Sequence, residues 1–582
     1  MSDVMRDAGR RTQPFPELMI IGIDSATFDL VDPWMKSGEL PNLARLMKEG
    51  ASGQLTSTTP PVSPPAWASF MTGKNPGKHG IFGFFEPVSN SYTVRHTNGG
   101  SRRAKTIWKL LSESGKRIGV INVPMTYPPE EVAGYLIAGM DTPDERSQFI
   151  YPPSLQEELV REFGKIETIV YHFRQKLGDS YQSAYQAFKL WERLEERRAD
   201  LCRHLMRTHP TDLVMVHFFA IDQIQHYFWH YMDPTHPLYD PAGAGTLGGV
   251  IKEIYRKIDG LLGELLALLP EETNLIVLSD HGAGPLSSRR IFVNNFLASL
   301  GLLQFKDAER PAPTVASAAH LAMQQMDALL KRLLPSRVRT WLTWTFPQAR
   351  DKFESYIATG QIDWSATKAY SNEKFGPSIW INLKGLRPHG IVEPGAEYEE
   401  LLSFITRKLY EVKDPETGAQ MITRVYRKEE IYAGPHLDNA PDLLIDEWLD
   451  LAFHPAQSTG KHGDRPIVTS EKPKGKTIRE KTGSHRYHGI LFLRGQPVKT
   501  GVTLAGAKII DLAPTILHLM GLSVPDDMDG RVLTDALTDE FLADHPITFN
   551  KGDGSVQESR PAYSDEDARK VEERLKSLGY IE

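Results

Sequence analysis

Leu18-Met-Ile-Ile-Gly-Ile23, followed at once by Asp24, is the stretch on which the reading of the fold turns. Six consecutive apolar or small residues, stopped by an acid, read as a parallel strand buried on both faces, with a carboxylate at its carboxyl end. Asp212-Leu-Val-Met-Val-His-Phe-Phe219 leads into Asp222 in the same way, and Asn274-Leu-Ile-Val-Leu-Ser279 leads into Asp280. Helix-like stretches lie between these runs, at Pro41 to Glu49, Ala104 to Ser114, Tyr181 to His209 and Leu247 to Leu269. Strands alternating with helices predict an α/β protein, its central, mostly parallel sheet sandwiched by helices. Ligands of such sheets bind beyond the carboxyl ends of the strands. Asp24, Asp222 and Asp280 are therefore expected at one edge, although they lie far apart in the chain.

Working outward, Ala312 to Gln361 is helical in pattern and rich in Leu, Ala and Trp, and Ile379 to Val392 with Glu397 to Val412 supplies another strand-and-helix unit. Ile490 to Leu493 reads as a core strand, Ile509 to Met520 as a helix, and Asp565 to Leu578 as an amphipathic helix in a polar tail. The expected organisation is a discontinuous catalytic domain over 18–283 and 452–545, an inserted cap over 284–451, and polar segments at 1–17 and 546–582. Ser458 to Lys481 is rich in Gly and Lys and predicts a loop bordering the active site.

Composition excludes several classes of function. The 582 residues are 40% hydrophobic and 24% charged, with a net charge of -7, so no basic field points to nucleic acid as the main partner. A single cysteine, Cys202, rules out a disulfide framework and cysteine-rich zinc sites, and leaves metal binding to His and carboxylates. No apolar run reaches the roughly 18 residues of a membrane span, and no signal-peptide core is visible before Leu18. The expectation is a cytoplasmic protein acting on a small molecule. Oligomeric state is left open.

Four elements carry chemistry. In Pro60-Pro-Val-Ser-Pro-Pro-Ala-Trp67, Ser63 stands before two prolines at a helix start, where it reads as an ordinary N-cap or as a hydroxyl placed where a helix start favours phosphate. Asp222-Gln-Ile-Gln-His226 puts a carboxylate and an imidazole on one helix face, as a metal pair or as a polar pair amid Tyr227, Phe228 and Trp229. His217 and His230 stand nearby as decoys. Ser279-Asp-His-Gly282 sets Asp280 beside His281 at a strand end. Thr482-Gly-Ser-His-Arg-Tyr-His-Gly489 offers His485 or His488 as a late ligand, and spacing alone does not choose between them.

Together these residues resemble the alkaline phosphatase superfamily, in its type I phosphodiesterase and nucleotide pyrophosphatase branch. The order Asp24, Ser63 with Thr72-Gly73 and His79-Gly80-Ile81, Asp222-x-x-x-His226, Asp280-His281-Gly282, then Gly483-Ser-His485 spans nearly the whole chain. Ile510-Asp-Leu-Ala-Pro-Thr-Ile-Leu-His-Leu-Met-Gly521 and Met528-Asp-Gly-Arg531 look like the family's closing helix and turn and extend the likeness. The resemblance implies two divalent metal ions, with Asp24, Ser63, Asp280 and His281 around one and Asp222, His226 and His485 around the other. It also implies hydrolysis of phosphate esters, diesters or pyrophosphates ahead of monoesters, through a phosphoserine at Ser63. Mixed Asp and His ligands suit zinc, with manganese as the alternative. A phosphomutase of the same superfamily is the main enzymatic alternative, and a non-catalytic metal-binding module is the alternative of another class.

The pattern departs from the family at one place. Nucleotide pyrophosphatases commonly carry threonine as nucleophile and an asparagine soon after it, whereas this chain has Ser63 and no asparagine before Asn75. The backbone N–H of Ala66 or Trp67, or the side chain of Lys74, is the expected substitute. Gly73-Lys-Asn-Pro-Gly-Lys-His79 is not a phosphate loop, because its glycines are one residue too close. Trp67 stands where a sulfatase would need its arginine motif. Trp341, Trp344, Tyr370, Phe375 and Trp380 are read as core and left out of the site.

Overall fold

The strand Leu18–Ile23 lies at the centre of a nine-stranded sheet. A computed structural model describes residues 15–306, 362–446, 453–455, 467–470, 478–552, 563–578 and 580. The helical reading of 312–361, with Trp341 and Trp344, lies outside these residues, as does most of the 458–481 loop. From edge to edge the strands run Val502–Lys508, Ala51–Thr56, His488–Arg494, Asn274–Leu278, Leu18–Ile23, Leu213–Phe218, Ile118–Val123, Gly134–Ala138 and Ile150–Tyr151. Pairing is parallel except at His488–Arg494, which opposes both neighbours, and at the edge strand Ile150–Tyr151. The fold is thus α/β with a large, mostly parallel sheet flanked by helices.

Register explains why the three aspartates meet. Ile20 pairs with Met215 on one side and Ile276 on the other, and Gly22 pairs with His217 and Leu278. The three strands end level, so whatever follows each one emerges at the same edge of the sheet. His488–Arg494 runs the other way, so it is the residues preceding it that arrive at that edge. They form the short strand Gly483–Arg486, antiparallel to Gly282–Pro285, with Ala283 opposite His485. One orientation rule therefore brings both the ends of the parallel strands and the start of the antiparallel strand to one place.

The central strands are wholly buried and form one apolar core with the inner faces of Pro41–Glu49, Ile107–Glu113, Tyr181–Thr208 and Val250–Leu266. A second apolar cluster gathers around a four-stranded antiparallel sheet, Ala369–Tyr370, Ser378–Ile381, Leu443–Ile445 and Val425–Arg427, with the helix Ala396–Tyr410 against it. Tyr370, Phe375 and Trp380 belong to this cluster, which accounts for these aromatics as packing. The expected helix Asp565–Leu578 forms with those limits. Among the described residues, no helix is long and apolar enough to cross a membrane.

Candidate metal centre

Asp24 follows its strand directly and is fully buried. Ser25 behind it adopts φ 64, a conformation uncommon for a residue with a side chain, and the Ser25 amide reaches Asp280 Oδ1 at 3.4 Å. Ala26 N–H donates to Ser279 Oγ, which itself donates to the His281 carbonyl. These bonds bind the turns after the first and third strands into one unit. The turn at Gly282 leaves no room for a side chain, since a Cβ there would lie 2.2 Å from the His488 carbonyl oxygen.

Asp222 and His226 lie on the helix Ala220–Met232. Gln225 of that helix donates to the Ser25 carbonyl at 2.9 Å and accepts from the Tyr255 hydroxyl, which ties the helix to the first strand's turn. His485 is delivered by the Gly483–Arg486 strand, whereas His488 is exposed, so of the two candidates that spacing left open it is His485 that reaches the cluster. Gly483 passes so close to the helix that a Cβ would sit 2.3 Å from the Gln225 carbonyl oxygen. His230 and His236 hold Thr482 beside it, through its hydroxyl and its carbonyl respectively.

Ser63 is the first residue of the helix Ser63–Thr72, and Val62 is its N-cap without a side-chain cap. The capping explanation for Ser63 is therefore removed. Its Oγ lies 3.4 Å from His281 Nε2 and is fully buried. Two of the three expected substitutes for the missing asparagine, the Ala66 amide and Lys74, are engaged elsewhere. Ala66 N–H donates to the Val62 carbonyl, and Pro64 and Pro65 have no N–H to offer, so this helix start is a poor anion cradle. Lys74 lies beyond the other end of the helix, roughly 16 Å along its axis at 1.5 Å per residue, and is paired with Asp527 at 2.6 Å. Neither Ala66 nor Lys74 is placed to take the asparagine's part.

The seven residues singled out in the sequence thus come together. His281 Nε2 lies 3.7 Å from Asp24 Oδ1 and 3.3 Å from Asp280 Oδ2. His226 Nε2 lies 3.3 Å from Asp222 Oδ1 and 3.1 Å from His485 Nε2, and His485 Nε2 lies 3.5 Å from Asp222 Oδ1. The His281 and His485 rings stack at 4.0 Å between centroids, so the two groups adjoin. Asp222, His226 and His485 are close enough to share one cation, and so are Asp24, Asp222 and His281.

Hydrogen bonding gives these contacts their meaning. A carbonyl can only accept, so the His226 contact to the Gly483 carbonyl at 2.8 Å and the His281 contact to the Gly282 carbonyl at 3.1 Å put the proton on Nδ1. In the neutral rings Nε2 is then a bare lone pair. Those lone pairs face Asp24 Oδ1, Asp222 Oδ1 and Asp280 Oδ2, three buried carboxylate oxygens with no hydrogen-bond partner. Lone pairs gathered against buried anionic oxygens repel unless a cation lies between them. The donor set, carboxylate oxygens with imidazole nitrogens, fits a divalent transition metal.

The electrostatics agree. Burial, with Asp280 and Asp222 close by, pushes the Asp24 carboxyl well above the usual carboxylate range. Burial raises Asp280 as well, against the opposing effect of His281. Burial acts in the same direction on Asp222, but His226 and His485 outweigh it and hold that carboxyl well below the usual range. Burial lowers His226 and His485, the direction that favours the neutral ring a metal ligand needs.

The sequence did not point to two neighbours of this centre. His217, set aside as a decoy, lies with Nε2 3.0 Å from Asp24 Oδ2; its place inside a core strand gives it away only once Asp24 is known to adjoin it. Tyr580 donates from its hydroxyl to Asp222 Oδ2, and nothing in its local sequence marks it.

A family model for type I phosphodiesterase / nucleotide pyrophosphatase matches residues 18–477, a span that ends before His485. Among solved structures, a phosphonoacetate hydrolase from Sinorhizobium meliloti 1021 is similar at a TM-score of 0.50 and 14% identity, over 87% of this chain and 96% of that one. Murine ectonucleotide pyrophosphatase / phosphodiesterase 5 is similar at a TM-score of 0.46 and 15% identity, over 90% of this chain and 100% of that one. No curated protein sequence matches the chain. With the match covering most of its length, the chain belongs to the type I phosphodiesterase / nucleotide pyrophosphatase family of phosphoester-hydrolysing enzymes.

Proposed function

We propose that this enzyme hydrolyses small phosphate esters, diesters or pyrophosphates ahead of monoesters, with Ser63 as nucleophile. The observation that carries the reading is the set of three unpartnered buried carboxylate oxygens facing imidazole lone pairs beside the Ser63 hydroxyl. Asp24, Ser63, Asp280 and His281 would hold one divalent cation and Asp222, His226 and His485 a second, zinc in our reading. When bound, such ions make a serine alkoxide accessible near neutral pH and offset charge on the oxygens of the transferring group.

The chain's own part is placement. Ser63 Oγ, fixed on the first turn of a buried helix, bonds to phosphorus as the bond to the leaving oxygen breaks. Water then cleaves the phosphoserine and restores the hydroxyl, and two inversions leave the configuration at phosphorus retained. His217 and the Ser25 amide hold Asp24 and Asp280 in place, so that the acids do not reorient between steps.

The test is hydrolysis of nitrophenyl phosphate and bis-nitrophenyl phosphate by metal-stripped protein resupplied with zinc or manganese. Serine-dependent turnover restored by metal supports the reading, and the preferred ester defines the branch. Transfer of phosphate to a second hydroxyl instead of water would identify a mutase. Failure to bind any divalent ion would overturn the proposal.

A further inference from the structure

Each carboxylate of the centre has its two oxygens assigned to different tasks. Asp24 keeps Oδ2 on His217 and leaves Oδ1 bare; Asp280 keeps Oδ1 on the Ser25 amide and leaves Oδ2 bare. Asp222 follows the same rule, with Oδ1 bare toward His226 and His485 while Oδ2 accepts from Gln223 Nε2 at 3.1 Å and from the Tyr580 hydroxyl. His217 and Ser25 belong to the sheet and its turns. Tyr580 comes from a segment 358 residues further along the chain than the acid it touches.

That segment is anchored independently of the centre. The buried Arg574 donates to the carbonyls of Met140 and Pro143 and to the Tyr171 hydroxyl. Lys570 pairs with Asp144 at 2.8 Å, and Tyr563 donates to the Asp141 carbonyl at 2.6 Å while stacking on Tyr127. The Tyr580 amide then donates to the Leu575 carbonyl at 2.9 Å, the six-to-one bond that closes a helix and sets the direction in which the chain leaves it. This turns Tyr580 inward, where its ring packs near Phe84, Phe219, His226 and His485, with Lys481 Nζ 5.4 Å from its centroid.

We infer that Tyr580 is a positioning residue, which orients Asp222 so that Oδ1 alone is presented to a divalent cation held with His226 and His485. The inference rests on the metal-centre reading above. It assigns to the helix Asp565–Leu578 a share in building the second half of the site. Loss of an outer partner of a metal ligand costs about 10- to 100-fold in metal affinity. Because Gln223 still holds Oδ2 when the hydroxyl is gone, the lower end of that range, about 10-fold, is expected.

The experiment titrates metal-stripped full-length protein with zinc against a competing chelator, for the natural chain and for Tyr580→Phe, and records the melting temperature of both without metal. The expected result is two ions bound by the natural chain, one of them weakened about 10-fold in Tyr580→Phe, with the other affinity and the metal-free melting temperature unchanged. Two ions bound with equal affinities in both proteins would overturn the inference and leave the metal centre standing. A melting temperature that falls together with both affinities would also overturn it, since it would show a packing role only. No ion bound by the natural chain would instead remove the reading on which it rests.

Discussion

The two halves of the proposed metal centre are built differently. Asp24, Asp280 and His281 sit on turns that follow two adjacent parallel strands, with Ser63 on a wholly buried helix beside them. Asp222, His226 and His485 depend on a helix, on a two-stranded ribbon that crosses it at Gly483, and on Tyr580 from a distant segment. The first half is fixed by sheet register, which a single side chain does not move. The second is fixed by the docking of separate elements, a buried helix, a ribbon and a distant segment, and is the half that changes at their junctions should disturb.

The largest effect sharpens that contrast from the rigid side. Ser63→Ala should lower turnover by about 1,000-fold or more while both ions still bind, which paired rate and metal-stoichiometry measurements would show. Retained turnover would detach the chemistry from the first half. Gly483→Ala should be next, because its Cβ would meet backbone oxygen 2.3 Å away and the ribbon carrying His485 must shift. Metal titration should then show one ion weakened by about 10- to 100-fold and the other retained. Equal weakening of both would break the division into halves.

The smallest effect concerns the docking of the last helix. Burial acts to raise the Glu572 carboxyl, yet His96, Lys374 and Lys576 outweigh it and hold it down to about 2. A carboxyl lowered in the folded state stabilises the protein above its unfolded value of about 4.3, and that contribution is lost as pH falls toward 2. Glu572→Gln should therefore cost about 1 kcal/mol at neutral pH, as read from denaturant midpoints, and the cost should shrink between about pH 4.3 and 2. A cost that does not change with pH would show that packing, and not charge, secures this helix.

The sequence by itself determined the elements whose cause is local. Largely apolar runs leading into acids announced the three central strands, because a strand buried on both faces carries few polar residues until it leaves the sheet, His217 being the buried exception. The spacing of Asp222 and His226 placed both on one helical face, and Asp280-His281-Gly282 marked a strand end with two metal-capable side chains and a glycine that permits close approach. The order of these residues also carried the family. Spacing did not choose between His485 and His488; the resemblance pointed to His485, and the fold supplies the reason, because strand polarity, which no local pattern encodes, sets which end of His488–Arg494 faces the site. Tertiary structure alone removed Lys74 and the Ala66 amide as partners for phosphate, one through an ion pair with Asp527 and the other through a bond to Val62. It alone brought Tyr580 to Asp222, because that contact depends on where a whole helix docks, and the residues that dock it are ordinary surface types in sequence.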